Sequence, residues 1–209
     1  MNTYYTRKEE WISAMTHFLG VVLGLIGLGA LLVHSLHIGH TGYLIGNIVF
    51  SISIILLYSM SGTYHILKNE KAKKIFKILD HSAIYVLISG TYTPYLLGVL
   101  EGEKKWILFS LQWGLTFLGI IFKIFYTGKF NKISTLIYLI MGWMIIFVYN
   151  DLKMLTNALS VHFLLAGGIT YTVGVIFYLL KDVKYSHAVW HLFVLSGTIF
   201  LYVSVYLLK

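Results

Sequence analysis

Long apolar runs separated by short charged clusters organise this chain from one end to the other. A helix needs about 20 apolar residues to cross the hydrocarbon core of a bilayer. Seven runs suit that length: Trp11–His34, Tyr43–Leu67, His81–Leu100, Trp106–Tyr126, Ile133–Tyr149, Leu159–Leu180 and His187–Leu208. No stretch alternates apolar and polar residues, and the runs are too long for barrel strands. The pattern predicts an all-α integral membrane protein, a seven-transmembrane helix bundle that forms one domain over residues 1–209. The loops and termini left over cannot hold a soluble catalytic domain, so any chemistry must be built from the helices. Gly20, Gly24 and Gly27 in the first span and Gly167 and Gly168 in the sixth read as close helix packing. Pro94 falls inside the third span, where buried neighbours tolerate a kink. The chain shows no internal repeat, so an inverted-repeat transporter gains no support.

Composition agrees with this pattern. Hydrophobic residues make up 58% of the 209 and charged residues 11%, against about half and a quarter in soluble domains. The mean hydropathy is +0.79. With no cysteine and a single proline, disulfide frameworks, thiolate zinc sites and Pro-rich linkers are excluded. The net charge of +8 raises nucleic acid as a partner. However, the charges sit in clusters between spans, as juxtamembrane lysines facing anionic headgroups do, so no nucleic-acid binding is expected. Counting Lys and Arg on alternate sides fixes the orientation. Twelve lie on the side of Arg7, Lys8, the Lys68–Lys77 cluster, Lys123, Lys129, Lys132, Lys181 and Lys184; four (Lys104, Lys105, Lys153 and Lys209) lie on the other. The N-terminus is therefore expected in the cytoplasm and the C-terminus outside. The first span lacks an A-x-A-like cleavage site and follows acidic Glu9 and Glu10, so it is expected to stay in the mature protein. One arginine against 15 lysines hints at an AT-rich bacterial genome, and hence at a multi-pass protein of the bacterial cell membrane.

Ionisable residues at membrane depth cost free energy unless they find partners. In this topology they converge. His65 lies in the last cytoplasmic turn of span two, with Ser61 a turn deeper; Asp80 and His81 open span three; His187 and His191 open span seven; Glu10 and His17 lie at the start of span one. The i, i+4 pair His187 and His191 places two imidazoles on one helix face, as two-histidine metal sites require. With His65 at the same depth, three histidines and an open fourth position describe a catalytic zinc site. Histidines bonded to backbone and hydroxyls across a bundle interface are the equal alternative. Asp80 is either the cap of the third helix or an acidic partner that takes a proton from the water at the metal. Ser61 either orients a ligand or water or bonds its own i−4 carbonyl. His34, His37, His40 and His162 lie near the outer face, far from the cluster.

Three segments carry a resemblance: E-x-x-S-x-x-T-H at Glu10–His17, S-G-T-Y-H at Ser61–His65 followed by Asp80, and S-H-A-V-W-H ending at His191. Their order, spacing and placement on the spans resemble the hemolysin III branch of the progestin and adipoQ receptor family, over essentially the whole chain. The chain departs from the family at Ser13, where asparagine is common. The resemblance implies a seven-helix bundle with its N-terminus inside, Zn2+ held by His65, His187 and His191, and a water between the metal and Asp80, with Glu10 and His17 in support. In receptor members of the family the site is linked to ceramidase-like hydrolysis of a lipid amide; the bacterial branch carries a cytolysin name and is tied to membrane-lipid homeostasis. The expected partners are membrane lipids and an amphiphilic substrate or ligand reaching the site sideways from the bilayer. A zinc-dependent lipid-amide hydrolase ranks first. A non-enzymatic receptor or regulator with structural zinc comes second. An intrinsic pore comes third, because no span carries a polar stripe from face to face.

Overall fold

The computed structural model describes residues 5–180 and 182–208. Lys181 and Lys209, both counted in the charge asymmetry, lie outside the described residues. The described chain is helical: α1 (Arg7–Ile38), α2 (Thr41–Ile66), α3 (Glu70–Gly98), α4 (Gly102–Tyr126), α5 (Asn131–Trp143), a 3-10 stretch (Met144–Val148), α6 (Tyr149–Leu155), α7 (Ala158–Leu179) and α8 (Ser186–Tyr206). Six stretches are long and apolar enough to cross a membrane, the fourth of them being Asn131–Leu155 taken through its break. The protein is an all-α integral membrane bundle.

The exception is α3, which is long enough but more polar. It still runs the length of the bundle. Near one end Lys73 pairs with Glu10 at the start of α1, and at the other Gly98 packs against the Tyr43 ring at the start of α2. Its polarity follows from its position inside the bundle rather than against lipid. Ser89 lies within 2.6 Å of Thr116 Oγ1 and donates to the Gln112 carbonyl, while Tyr95 donates to Ser204.

α3 also starts earlier than the hydropathy pattern predicts, at Glu70 rather than His81. Asn69 is its N-cap and accepts from the Ala72 amide at 3.0 Å. Asp80 therefore lies in the helix interior, and its reading as a cap is wrong. Lysines and Asp80 break the apolar run, yet none of them breaks a helix, so hydropathy placed the boundary a few turns late. Lys123 also departs from expectation. Counted as a loop charge, it is fully buried inside α4, where its ammonium donates to Ser134 at 2.7 Å and lies 5.7 Å from the Tyr138 ring centroid.

The fifth span is broken at Trp143–Met144, and its freed backbone groups need partners in a medium without water. Two side chains supply them. Gln112 donates to the Met141 carbonyl at 2.9 Å. Tyr92 donates to the Gly142 carbonyl and accepts from the Ile145 amide, both at 2.7 Å. Close approach elsewhere depends on missing side chains: a Cβ on Gly46 would fall 2.6 Å from the Pro94 Cα. This lets α2 lie against the one proline-bearing turn of α3.

α1 packs on α2 and α8, α2 on α3, and α7 on α8, while α5 sits against α3 and α7. These helices form a ring around a cavity of about 510 Å3, and among the described residues none of its walls comes from α4. α4 lies outside the ring against α3, with Trp106, Ile107, Phe117, Leu118 and Phe125 exposed toward lipid.

The charge asymmetry gives a direct test of orientation, made cleaner because the chain has no native cysteine. Cysteines at Glu103 and Lys153 should react with a membrane-impermeant maleimide added to intact cells, and one at Lys68 should react only after lysis. Reversed labelling would place the site described below in the outer leaflet.

Candidate metal centre

The start of α1 sets the register of the site. Thr6 caps the helix through a capping box in which Glu9 accepts from the Thr6 amide at 2.7 Å and donates its own amide to Thr6 Oγ1. The second Glu9 oxygen accepts from the Tyr185 amide at 2.5 Å. Tyr185 holds a left-handed backbone conformation (φ 62°) immediately before α8. One carboxylate thus ties the first turn of the first span to the first turn of the last. His187 and His191 follow on α8, opposite Glu10, Ser13 and His17 on α1.

Three imidazoles from α2 and α8 meet here. The ligand atoms of His65, His187 and His191 all lie within 4.8 Å of one another. His187 Nε2 is 3.3 Å from His65 Nε2 and 3.0 Å from His191 Nε2. Nitrogens bound to one tetrahedral zinc at about 2.0–2.1 Å stand about 3.3 Å apart. His65 Nδ1 donates to Glu10 Oε2 at 2.7 Å, and His191 Nδ1 donates to the Ser13 carbonyl at 3.3 Å. Neither acceptor carries a proton to give, so in the neutral rings the N–H sits at Nδ1 and the lone pair at Nε2. Two inward lone pairs then face a third imidazole nitrogen, which can offer a proton to only one of them. The donor set is electron-rich toward its own centre, and a cation with a preference for imidazole completes it. The residues fit zinc.

The surroundings support that fit. Glu10 also accepts from Lys73 at 2.9 Å, making Lys73–Glu10–His65 a chain that fixes the tautomer and ring plane of His65, as outer carboxylates do at metal sites. The departure at Ser13 leaves the His191 contact intact, because the backbone carbonyl makes it. Tyr5 stacks on His187 with centroids 4.6 Å apart. Asp80, Ser61, His17, Glu10, His187 and His191 all border the same cavity. Asp80 is 14% exposed in its side chain, and its carboxylate lies 3.7 Å from His81 Nδ1. His81 Nδ1 is itself 2.8 Å from the Lys77 carbonyl. His17 stacks on His191, 3.7 Å between centroids and 18° between planes, yet neither of its buried ring nitrogens has a hydrogen-bond partner among the described residues. Such a group costs about 1–3 kcal/mol.

Two of the outer histidines have local roles: His40 caps α2 and His34 stacks on Tyr206. Sequence reasoning missed Lys73 as part of the site. Its signal was there, since it lies seven residues before Asp80 and so on nearly the same face of α3. Tyr5 carried no such signal.

The arrangement defines a multi-pass helical membrane protein with a three-histidine group, two of its members buried, beside a cavity of about 510 Å3. The model for Haemolysin-III related proteins matches residues 5–202, and the chain belongs to that family. Hemolysin-3 of Bacillus cereus is 44% identical over 198 residues, covering 95% of this chain and 90% of that protein. A Hemolysin-3 homolog of Bacillus subtilis is 42% identical over 194 residues, with 93% and 91% covered. The human monocyte to macrophage differentiation factor is 26% identical over 168 residues, with 76% and 68% covered. The last supports the wider link to the progestin and adipoQ receptors. Six apolar helices and these relatives make it a multi-pass cell-membrane protein.

Purified protein should bind close to one zinc per chain, and His65→Ala, His187→Ala and His191→Ala should each remove most of it, as read by elemental analysis. His34→Ala should retain it. Glu10→Gln should weaken zinc affinity by about 10–100-fold, the range for losing an outer-shell partner. Unchanged zinc in all three histidine variants would dismiss the centre.

Proposed function

We propose that this protein is a zinc-dependent hydrolase of a lipid amide, working in the cytoplasmic leaflet. The observation that carries this reading is that two of the three clustered imidazoles, together with Asp80 and Ser61, border an apolar cavity of about 510 Å3. That volume lies within the range of about 300–1,000 Å3 typical of small-molecule sites. A zinc serving only structure would need no such access, and this favours hydrolase over a regulator with a sealed metal. Leu57, Ile88, Leu164 and Leu201 line the cavity and would receive hydrocarbon, as expected for an amphiphile drawn from the bilayer.

His65, His187 and His191 would hold the metal, which supplies Lewis acidity for an amide carbonyl and makes a nearby water more acidic. The chain's own groups do the rest. Glu10 and the Ser13 carbonyl keep the Nε2 atoms of His65 and His191 pointing inward. Asp80 accepts the proton of the attacking water as general base and returns it to the leaving nitrogen. Ser61 orients that water. The apolar walls exclude bulk water and hold the acyl chain.

Asp80→Asn separates the readings, since capping no longer confounds it: Asn69, not Asp80, caps α3. The variant should keep its zinc and lose about a hundredfold or more of its turnover of a ceramide-like amide, the scale of losing a general base. Full hydrolysis by zinc-loaded Asp80→Asn protein would end the mechanism. Leakage from loaded liposomes, indifferent to both Asp80→Asn and a chelator and unaccompanied by hydrolysis, would instead favour the lytic activity that the name of the Bacillus cereus relative suggests.

A further inference from the structure

Two glycines stand side by side on α7, and the structure gives them different reasons. A Cβ on Gly167 would fall 2.7 Å from Leu201 Cδ2 and 3.2 Å from the Gly197 carbonyl oxygen, so its absence lets α7 lie against α8. Gly168 meets no such demand. Among the described residues a Cβ there would touch only the Trp143 ring, at 3.8 Å, an ordinary contact. Alanine would fit, and it suits the interior of a helix better. The room that Gly168 leaves belongs to the cavity, which it borders together with Trp143 and Thr172. The Trp143 indole is held from swinging into that room. Its Nε1 donates to Thr172 Oγ1 at 3.0 Å, and the same hydroxyl donates to the Gly168 carbonyl at 2.8 Å.

Depth gives this width a meaning. Tyr178 lies ten residues farther along α7, borders the same cavity, and has its ring centroid 6.4 Å from that of His187. At 1.5 Å per residue, Gly168 is about 15 Å from the level of the three histidines. Leu164 borders the cavity one turn deeper, as do Tyr95 and Leu201 toward the same end. A fully extended chain advances about 1.2 Å per bond, so an acyl chain held at the centre reaches Gly168 after about twelve carbons. We infer that Gly168 is a specificity-determining residue: it keeps open the passage beside Trp143 to the deep end of the cavity, and so sets how long an acyl chain the site accepts. A branched side chain at this position meets the tethered indole first and has the cavity as the open space beside it. Shorter chains end before the passage and are indifferent to it.

The inference rests on reading the cavity as the acyl-chain site of a lipid-amide hydrolase, and the readouts keep the two apart. N-methyl decanamide and N-methyl hexadecanamide share a head group and differ in whether they reach Gly168. Their equilibrium binding to the zinc-loaded full-length protein in nanodiscs is measured for wild type, Gly168→Ala and Gly168→Leu. Each variant is compared with wild type for the same amide, so that partitioning into lipid cancels, and zinc content and hydrolysis are followed in the same samples. Gly168→Leu should lose about tenfold or more in affinity for the hexadecanamide, the scale of crowding an occupied apolar site, and stay within about twofold for the decanamide. The loss should grow with side-chain size, from alanine to leucine. Should Gly168→Leu fail to fold, Leu164→Phe, one turn deeper, carries the same expectation. Unchanged hexadecanamide affinity in the folded variant would overturn the inference. So would an equal loss of both amides from a variant that keeps its zinc, or failure of wild type to bind either. If the chain-length preference shifts while no amide is hydrolysed, the hydrolase reading falls and the passage stands. If both amides are hydrolysed and the preference does not move, the passage falls and the hydrolase stands.

Discussion

Lone pairs pointed at one another are the constraint on which this bundle is built. With Nδ1 of His65 committed to Glu10 and Nδ1 of His191 committed to the Ser13 carbonyl, their inner lone pairs face a His187 nitrogen that can offer a proton to only one of them. That arrangement must be held by something stiffer than the histidines themselves. The stiffness comes from the capping box of α1, whose Glu9 carboxylate reaches across to the Tyr185 amide, and from Lys73 on α3, which braces Glu10 from the other side. Three helix starts and one helix end are thus fixed against each other at a single depth. The site is expensive in polar groups, and they answer to one another.

The same economy of polar groups appears away from the site. The fifth span gives up helical geometry near Trp143, and the groups released are met by Tyr92 from α3 and Gln112 from α4. Ser160 of α7 donates to the Ser204 carbonyl of α8 at 2.8 Å. Such bonds tie neighbouring helices around the cavity to one another, and α4 packs on α3 from outside. A bundle held only by apolar packing would have little reason to leave that volume open.

Much of this was legible in the chain itself. Hydropathy alone gives seven spans and their approximate ends, because lipid admits few other solutions. Helical spacing and depth bring Glu10, His17, Ser61, His65, Asp80, His187 and His191 to one level, and all seven do lie together. The start of α3 was not legible, since its first turns carry lysines and Asp80, which interrupt the apolar run without breaking the helix. The break in the fifth span was hidden for a different reason: the residues that stabilise it, Tyr92 and Gln112, are distant in sequence. Lys73 and Lys123 looked like two more positive charges beside a membrane. Only the fold distinguishes a lysine that braces a carboxylate, or one buried against Ser134, from one that greets headgroups.

The link between Glu9 and Tyr185 has a consequence for the order of events in the cell. The centre draws on residues from position 10 to position 191, and its geometry depends on the first span meeting the last. A nascent chain threading into the membrane from its N-terminus therefore carries His65 for most of its synthesis without His187 and His191, which complete the group. The site comes into being only once the final helix has inserted and closed against the first. A chain released early, or one whose last helix fails to dock, has no centre to load. Any metal that the three histidines hold would thereby be captured only by the finished protein.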